Sequence, residues 1–136
     1  MSSLPLIARA SEHSSSIAFR CPDAEYSYQQ LLDQSATIAT VLLDGQTDLQ
    51  QARVAYLVGA GIHHTAIQWG IWRSGGVAVP LSLSATRNEL HYAVSDSRAS
   101  VVVTDGQLAS QVAELCQSLG LRLLTVEEIL LSLIHI

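Results

Sequence analysis

The chain contains no lysine, and that absence closes several functional classes at once. Its seven basic residues are all arginines, scattered singly from Arg9 to Arg122, against twelve acidic residues and a formal charge of -5. No basic stripe is left to neutralise a phosphate backbone, so nucleic acid is not an expected partner. A phosphate loop of the Gly-x-x-x-x-Gly-Lys type needs its lysine to reach the terminal phosphates, and that class is closed too. Cysteine is nearly absent. Cys21 and Cys116 stand far apart in no Cys-x-x-Cys spacing, which points to neither a zinc site nor a disulfide framework and suits a reducing compartment. Long apolar runs are also missing. The opening Met1 to Ala10 has no basic region ahead of an apolar core, and nothing later is long enough to span a bilayer. A soluble, cytoplasmic protein is expected. Arg9, alone among the first ten residues, lends a mitochondrial transit peptide little support, and the mitochondrial matrix stays open.

What is present is the material of one core. Of 136 residues, 49% are apolar, enough for a single ordinary domain. Ile17-Ala18-Phe19 and Glu25-Tyr26-Ser27, split by Cys21-Pro22-Asp23-Ala24, read as a small hairpin around a proline turn. Ser27 and Gln30 have the spacing of a capping box, opening a helix whose buried stripe runs through Leu31, Leu32, Ile38, Ala39, Leu42 and Leu43. The helix should end at Asp44-Gly45, with the glycine as left-handed cap. Arg53 to Val58 reads as a strand buried on both faces, Ile62 to Ser74 as a helix, and Gly75-Gly76 as its left-handed stop. Val77 to Leu81 follows as a buried strand. Thr86 and Glu89 cap a helix to about Asp96, Ser100 to Thr104 is a β-branched strand, and Gln107 to Leu119 an amphipathic helix closed by Gly120. Leu121 to Leu124 makes the last strand, and Thr125 with Glu128 gives a third capping box.

Strand and helix thus alternate four times, which predicts an α/β layered parallel sheet with flanking helices, preceded by the hairpin. No repeat or linker divides the chain. Residues 1–136 are therefore expected to be one domain, and a partial one. The apolar string Leu130 to Ile136 lacks a stop signal, so residues from about 131 to 136 are read as a truncated end with a few foreign residues.

Residues that could carry chemistry are few. Gly59-Ala60-Gly61-Ile62-His63-His64 follows a strand and opens a helix, where amide groups could hold an anion. It is a poor dinucleotide fingerprint: His64 replaces the third glycine, and Pro80-Leu81-Ser82 supplies no acidic residue for a ribose. His63 and His64 are adjacent, diverge by roughly 100 degrees on a helix and cannot chelate one ion. His91 has no nucleophile beside it in sequence, and His13 and His135 sit near the ends. No serine stands in a Gly-x-Ser-x-Gly elbow. Trp69 and Trp72, three apart, fall on one helix side and read as core. Glu127-Glu128 reads as a charged first helical turn.

Several stretches in order resemble the adenylate-forming acyl-CoA synthetases, the AMP-binding superfamily. Tyr26-Ser27-Tyr28-Gln29-Gln30-Leu31 resembles their Thr-Tyr-x-x-Leu opening, Arg53-Val54-Ala55 the first strand of their large domain, and Gly75 to Leu81 the next. Glu89 to Ser97 followed by Val101 to Asp105 is similar to the family's next helix and strand. Gln68-Trp69-Gly70-Ile71-Trp72 looks closest to the malonyl-CoA and fatty-acyl-CoA synthetase branch. The resemblance spans roughly Leu6 to Glu128. Ser27 stands where threonine is usual, and Ala85-Thr86 where a proline often follows. The family's phosphate loop with its lysine, its Tyr-Gly-x-Thr-Glu segment, its Thr-Gly-Asp aspartate and its late lysine have no counterpart in this chain.

The resemblance implies the incomplete N-terminal subdomain of a ligase. With ATP, Mg and CoA, the complete enzyme would convert a carboxylic acid to an acyl adenylate and then to a thioester. It assigns this chain no catalytic, cofactor-binding or metal-binding residue and implies inactivity alone. Strands left bare by absent chain would then expose an apolar patch. The alternative is a self-contained α/β module that holds an anionic ligand at the Gly59 to Gly61 turn.

Overall fold

The computed structural model describes residues 4–132. Local capping chemistry sets most of its helix starts. Ser27 Oγ accepts the Gln30 amide proton at 3.2 Å while Gln30 Oε1 accepts that of Ser27 at 2.7 Å, and helix α2 (Tyr28–Leu43) runs from there. Thr86 and Glu89 repeat the reciprocal pair at 3.1 and 2.9 Å to open α4 (Arg87–Ser97). These bonds from the Thr86 backbone and hydroxyl hold the Glu89 carboxyl below the usual glutamate range. The third box is only half formed. Thr125 Oγ1 accepts from Glu128 N at 3.2 Å at the start of α6 (Val126–Leu131), but the reciprocal bond is not made among the described residues.

In chain order the elements are α1 (Pro5–Ser11), β1 (Ile17–Arg20), β2 (Glu25–Ser27), α2, β3 (Arg53–Leu57), α3 (Ile62–Arg73), β4 (Val77–Pro80), α4, β5 (Val101–Thr104), α5 (Ala109–Leu119), β6 (Arg122–Thr125) and α6. β1 and β2 form the expected antiparallel hairpin, and the other four strands a parallel sheet in the order β4-β3-β5-β6. Parallel pairing needs crossovers, which α3, α4 and α5 provide.

The central strand β3 shows why both faces must be covered. Val54 and Tyr56 turn to one face with Val103 of β5, against α1, α2, α3 and α6. Ala55 and Leu57 turn to the other with Val102, against Leu90 and Val94 of α4 and Val112, Leu115 and Cys116 of α5. Burial pushes the Cys116 thiol pKa up, which keeps it an inert core group. Both faces of the sheet are therefore filled around β3. Large exposed apolar side chains among the described residues include Leu6, Ile17, Leu83 and Tyr92.

α2 and α3 make the most extensive helix–helix contact among the described residues. Gly70 of α3 faces Ile38 and the Ser35 carbonyl of α2. One turn on, Arg73 Nη1 donates to Leu32 O at 2.9 Å and to Ser35 Oγ at 2.8 Å. Partial burial lowers the Arg73 pKa, with Asp33 opposing the shift.

Five expectations need correction. α1 was not expected; Pro5 starts it, where a missing amide costs nothing. The left-handed cap of α2 is Asp44 (φ 49°), ahead of Gly45. α5 begins at Ala109 because Asp105 accepts the Leu108 amide proton at 2.9 Å and holds residues 105–108 as a turn. Strand β4 is an edge strand, with Val77 41% exposed, so it is not buried. Trp72 is 38% exposed although Trp69 is 7%, since a rotation of roughly 300 degrees over three residues still leaves the core stripe. Of the expected tail, Leu131 ends α6 and Ser132 is its cap, while His135 and the rest of 133–136 lie outside the described residues.

Arg98 gives a first prediction. It holds φ 59° at the end of α4, where its amide donates to Ser95 O and that of Ala99 to Val94 O, the bond pair that glycine normally serves. Its side chain is exposed. Relief of left-handed strain of about 1–2 kcal/mol, less the added unfolded-chain entropy of glycine, makes Arg98→Gly stabilising by about 0.5–1 kcal/mol in urea unfolding.

Candidate functional site

The turn from β3 to α3, where the sequence suggested an anion could be held, borders a concavity. Val58 to Gly61 leaves the carboxyl end of β3, and Gly61 (φ 139°) caps α3 without a side-chain hydrogen bond. A groove of about 440 Å³ opens there, with Phe19, Leu81 and Leu83 on its walls and Gly61, His64 and Thr65 at the helix start. His64 lines it and His63 does not, as their divergence requires. The His64 ring meets Tyr56 edge-on, with centroids 5.2 Å apart at 66°. The buried Tyr56 hydroxyl has no hydrogen-bond partner among the described residues. Burial pushes its pKa up, the nearby Gln68 amide opposing.

In a doubly wound sheet the ligand crevice lies where strand order reverses, here between β3 and β5. The polar groups at that point are already engaged with the fold. Thr104 Oγ1, fully buried, donates to Leu57 O at 2.7 Å, and Glu127 Oε1 accepts the Gly106 amide proton at 3.0 Å. Sequence reasoning did not single out Thr104, and it took Glu127 only as a charged helix start. A β-strand ending Thr-Asp-Gly gives no sign of a hydroxyl bridging to the neighbouring strand.

The other candidates are separate. His91 borders an open polar groove between α4 and α5 with Arg87 and Glu114, whose ion pair is long at 3.9 Å and exposed. Trp69 and Tyr28 line a mainly apolar hollow of about 360 Å³ under α1, with Arg9 and His13 at its margin. Among the described residues, no three His, Cys, Asp or Glu side chains lie close enough to hold a metal ion.

With this geometry in view, comparison with known proteins decides the family. The model of the AMP-binding enzyme family matches residues 6–131. The chain belongs to the AMP-binding enzymes. Among its relatives, the mouse mitochondrial malonate–CoA ligase ACSF3 is 34% identical over 126 residues, covering 90% of this chain and 22% of that protein. The human mitochondrial malonate–CoA ligase ACSF3 is 30% identical over 126 residues, with 90% and 22% covered. Among solved structures, ATP-bound MatB from Rhodopseudomonas palustris superposes with a TM-score of 0.74 at 25% identity, covering 88% of this chain and 24% of that one. A benzoate CoA ligase from Burkholderia xenovorans LB400 shares the fold, with a TM-score of 0.83 at 18% identity over 93% of this chain and 27% of its own. The chain thus spans about a fifth of the length of these curated ligases.

The residues in hand do not fit Mg·ATP. The β3–α3 groove offers amide groups and a histidine but no lysine or arginine, and its walls are apolar. A triphosphate needs several charge-assisted donors and a metal held by carboxylates. No step of nucleotide chemistry is therefore assigned to this segment of the AMP-binding fold.

Proposed function

We propose that this chain is the N-terminal part of an ATP-dependent carboxylate–CoA ligase, one partial domain whose nucleotide and acyl chemistry is carried by chain outside it. The match of residues 6–131 to the AMP-binding enzymes, joined to relatives named malonate–CoA ligases, carries this reading. The complete enzyme would use ATP with Mg to form an acyl adenylate and CoA to form the thioester, on a small carboxylic acid of the malonate class. Such chemistry brings two anions together and depends on preorganised cationic and amide donors. This segment supplies the layered scaffold, and its β3–α3 groove lacks the cationic donors, so it is inactive alone. No helix among the described residues is long and apolar enough to cross a membrane. The compartment we propose is the cytosol or, as the names of the animal relatives suggest, the mitochondrial matrix.

ATP–pyrophosphate exchange tests the reading in two arms. The 136-residue chain should give no malonate-dependent exchange. A chimera with residues 6–131 in place of the matched segment of the mouse ligase should give it. Exchange by the chain alone would overturn the silent-scaffold assignment, and a folded chimera without exchange would overturn the ligase assignment.

A further inference from the structure

Two aspartates of the chain precede a glycine, in Asp44-Gly45 and Asp105-Gly106, and the fold treats the two pairs oppositely. A glycine amide has no side chain beside it, so it meets little obstruction in reaching the carboxyl of the residue before it. Ring closure at such a pair is redox-neutral. The glycine nitrogen bonds to the aspartate Cγ, a Cγ–O bond breaks, and one water leaves with the amide proton to give a succinimide. Water then adds back at either ring carbonyl. Opening at the main-chain carbonyl leaves the peptide running through the β-carboxyl, an isoaspartate of unchanged mass.

At Asp105-Gly106 both reacting groups are occupied. The Gly106 amide, which would be the nucleophile, donates to Glu127 Oε1 at 3.0 Å, and Asp105 Oδ1 accepts the Leu108 amide proton at 2.9 Å. Asp105 is also half-buried. Closing the ring there breaks both bonds. Because Glu127 stands in the first turn of α6, 21 residues further on, this restraint exists only in the folded chain.

Asp44-Gly45 has neither restraint. The Gly45 amide makes no hydrogen bond among the described residues, and residues 44–48 are all exposed. The Asp44 carboxylate approaches Arg122 at 3.9 Å, a long and exposed pair that holds it weakly in water. With φ 49° and ψ 45°, Asp44 turns the Gly45 nitrogen away from its own Cγ, so ψ must rotate before attack. That rotation leaves a left-handed conformation, which is strained for any residue with a side chain. It is opposed by the bond from Gln46 N to Leu43 O, 2.9 Å, at a helix end, where local opening is easiest.

We propose that Asp44-Gly45 is a site of spontaneous isoaspartate formation, and that Glu127 shields Asp105-Gly106 from the same reaction. The product acts on the end of α2. An isoaspartate adds one methylene to the main chain at the left-handed cap, two residues after the core residue Leu42. The φ, ψ pair that makes the cap no longer exists in that backbone.

Ageing the 136-residue chain at neutral pH and physiological temperature tests this. Without lysine, trypsin cuts only after arginine, so the two pairs fall in separate peptides, 21–53 and 99–122. Chromatographic retention and fragmentation then distinguish isoaspartate from aspartate at equal mass. In the folded chain Asp44 should isomerise about tenfold or more faster than Asp105, the factor that about 1.4 kcal/mol of added barrier produces. In concentrated urea the tertiary restraint is gone, and the two rates should agree within about twofold. Glu127→Ala should raise the Asp105 rate about tenfold, through loss of one hydrogen bond to a charged group, and leave Asp44 unchanged. Equal rates at the two pairs in the folded chain, or a faster Asp105, would overturn the proposal. So would an unmoved Asp105 rate in a Glu127→Ala protein with the parental circular dichroism. Should that variant unfold, the parent decides: a rate ratio that collapses in urea supports the shielding, and one that is the same in both states removes it.

Discussion

Alanine in place of Gly70 should destabilise the chain by about 2 kcal/mol, even though alanine is the better helix former by about 1 kcal/mol. The reason lies across the α2–α3 contact. A Cβ on residue 70 would sit 2.7 Å from Ile38 Cγ2, 2.9 Å from Ile38 Cβ and 3.1 Å from the Ser35 carbonyl oxygen. Ile38 and Ser35 are completely buried, so neither can swing into solvent. Relief must come from moving whole helices apart, and overpacking of this kind costs about 1–3 kcal/mol. Separation would also lengthen the bonds from Arg73 to Leu32 O and Ser35 Oγ, which places the cost at the upper end of that range. Valine, with two further methyl groups and a stiff χ1, should cost about 4 kcal/mol, a large part of the total for a domain of about 5–15 kcal/mol. Urea unfolding of Gly70→Ala, Ile38→Ala and the double variant separates clash from cavity. The double variant should be more stable than the sum of the single effects by about 1 kcal/mol or more. A Gly70→Ala protein as stable as the parent would show that the helices do not pack this closely.

How much of this was readable without coordinates differs between levels. Periodicity and capping chemistry are local, and they gave the hairpin, the order of strands and helices, and the boundaries set by Ser27, Thr86 and Gly120 nearly to the residue. Burial on both faces was legible in Arg53 to Leu57, because a run of five residues with one charge at its end has no face to offer water. Edges were not legible. Val77-Ala78-Val79 reads as buried by composition, yet strand order is settled by crossover handedness and places it outermost. Helix α1 escaped notice because seven residues carry too weak an amphipathic pattern and the helix is held by packing on α2. The groove at the β3–α3 turn was anticipated from its glycines, but its apolar walls come from Phe19 of the hairpin and Leu83 beyond β4, parts of the chain that only the fold brings together. The same limit applies to Thr104 and Leu57, hydrogen-bonded across a separation of 47 residues.

Gly75 joins the legible and the illegible in one residue, and Gly75→Ala should cost about 2–3 kcal/mol. The left-handed cap was evident from Gly75-Gly76. Gly75 has φ 84°, its amide donates to Trp72 O at 3.1 Å and that of Gly76 to Ile71 O at 2.9 Å, which closes α3. A side chain at that φ costs about 1–2 kcal/mol, offset in part by the smaller entropy of the unfolded alanine chain. The remainder comes from a neighbour that no local pattern announces. The carboxylate of Asp48 lies against Gly75, where an added Cβ would be 2.9 Å from its Cγ and closer still to Oδ1. Asp48 is exposed and could turn away, but its Oδ1 accepts the Gln50 amide proton at 2.6 Å. That bond holds Gln50 and Gln51 at φ 53° and 66°, the geometry in which Gln51 N donates to Gly75 O and Leu49 N to Ser74 O. Displacing Asp48 therefore loosens the loop that delivers the chain into β3, at about 1 kcal/mol for the lost hydrogen bond. In an Asp48→Ala background only the backbone strain should remain, so Gly75→Ala should cost about 1 kcal/mol less there than in the parent. Equal losses in both backgrounds would assign the whole effect to φ and remove the Asp48 contact from the account.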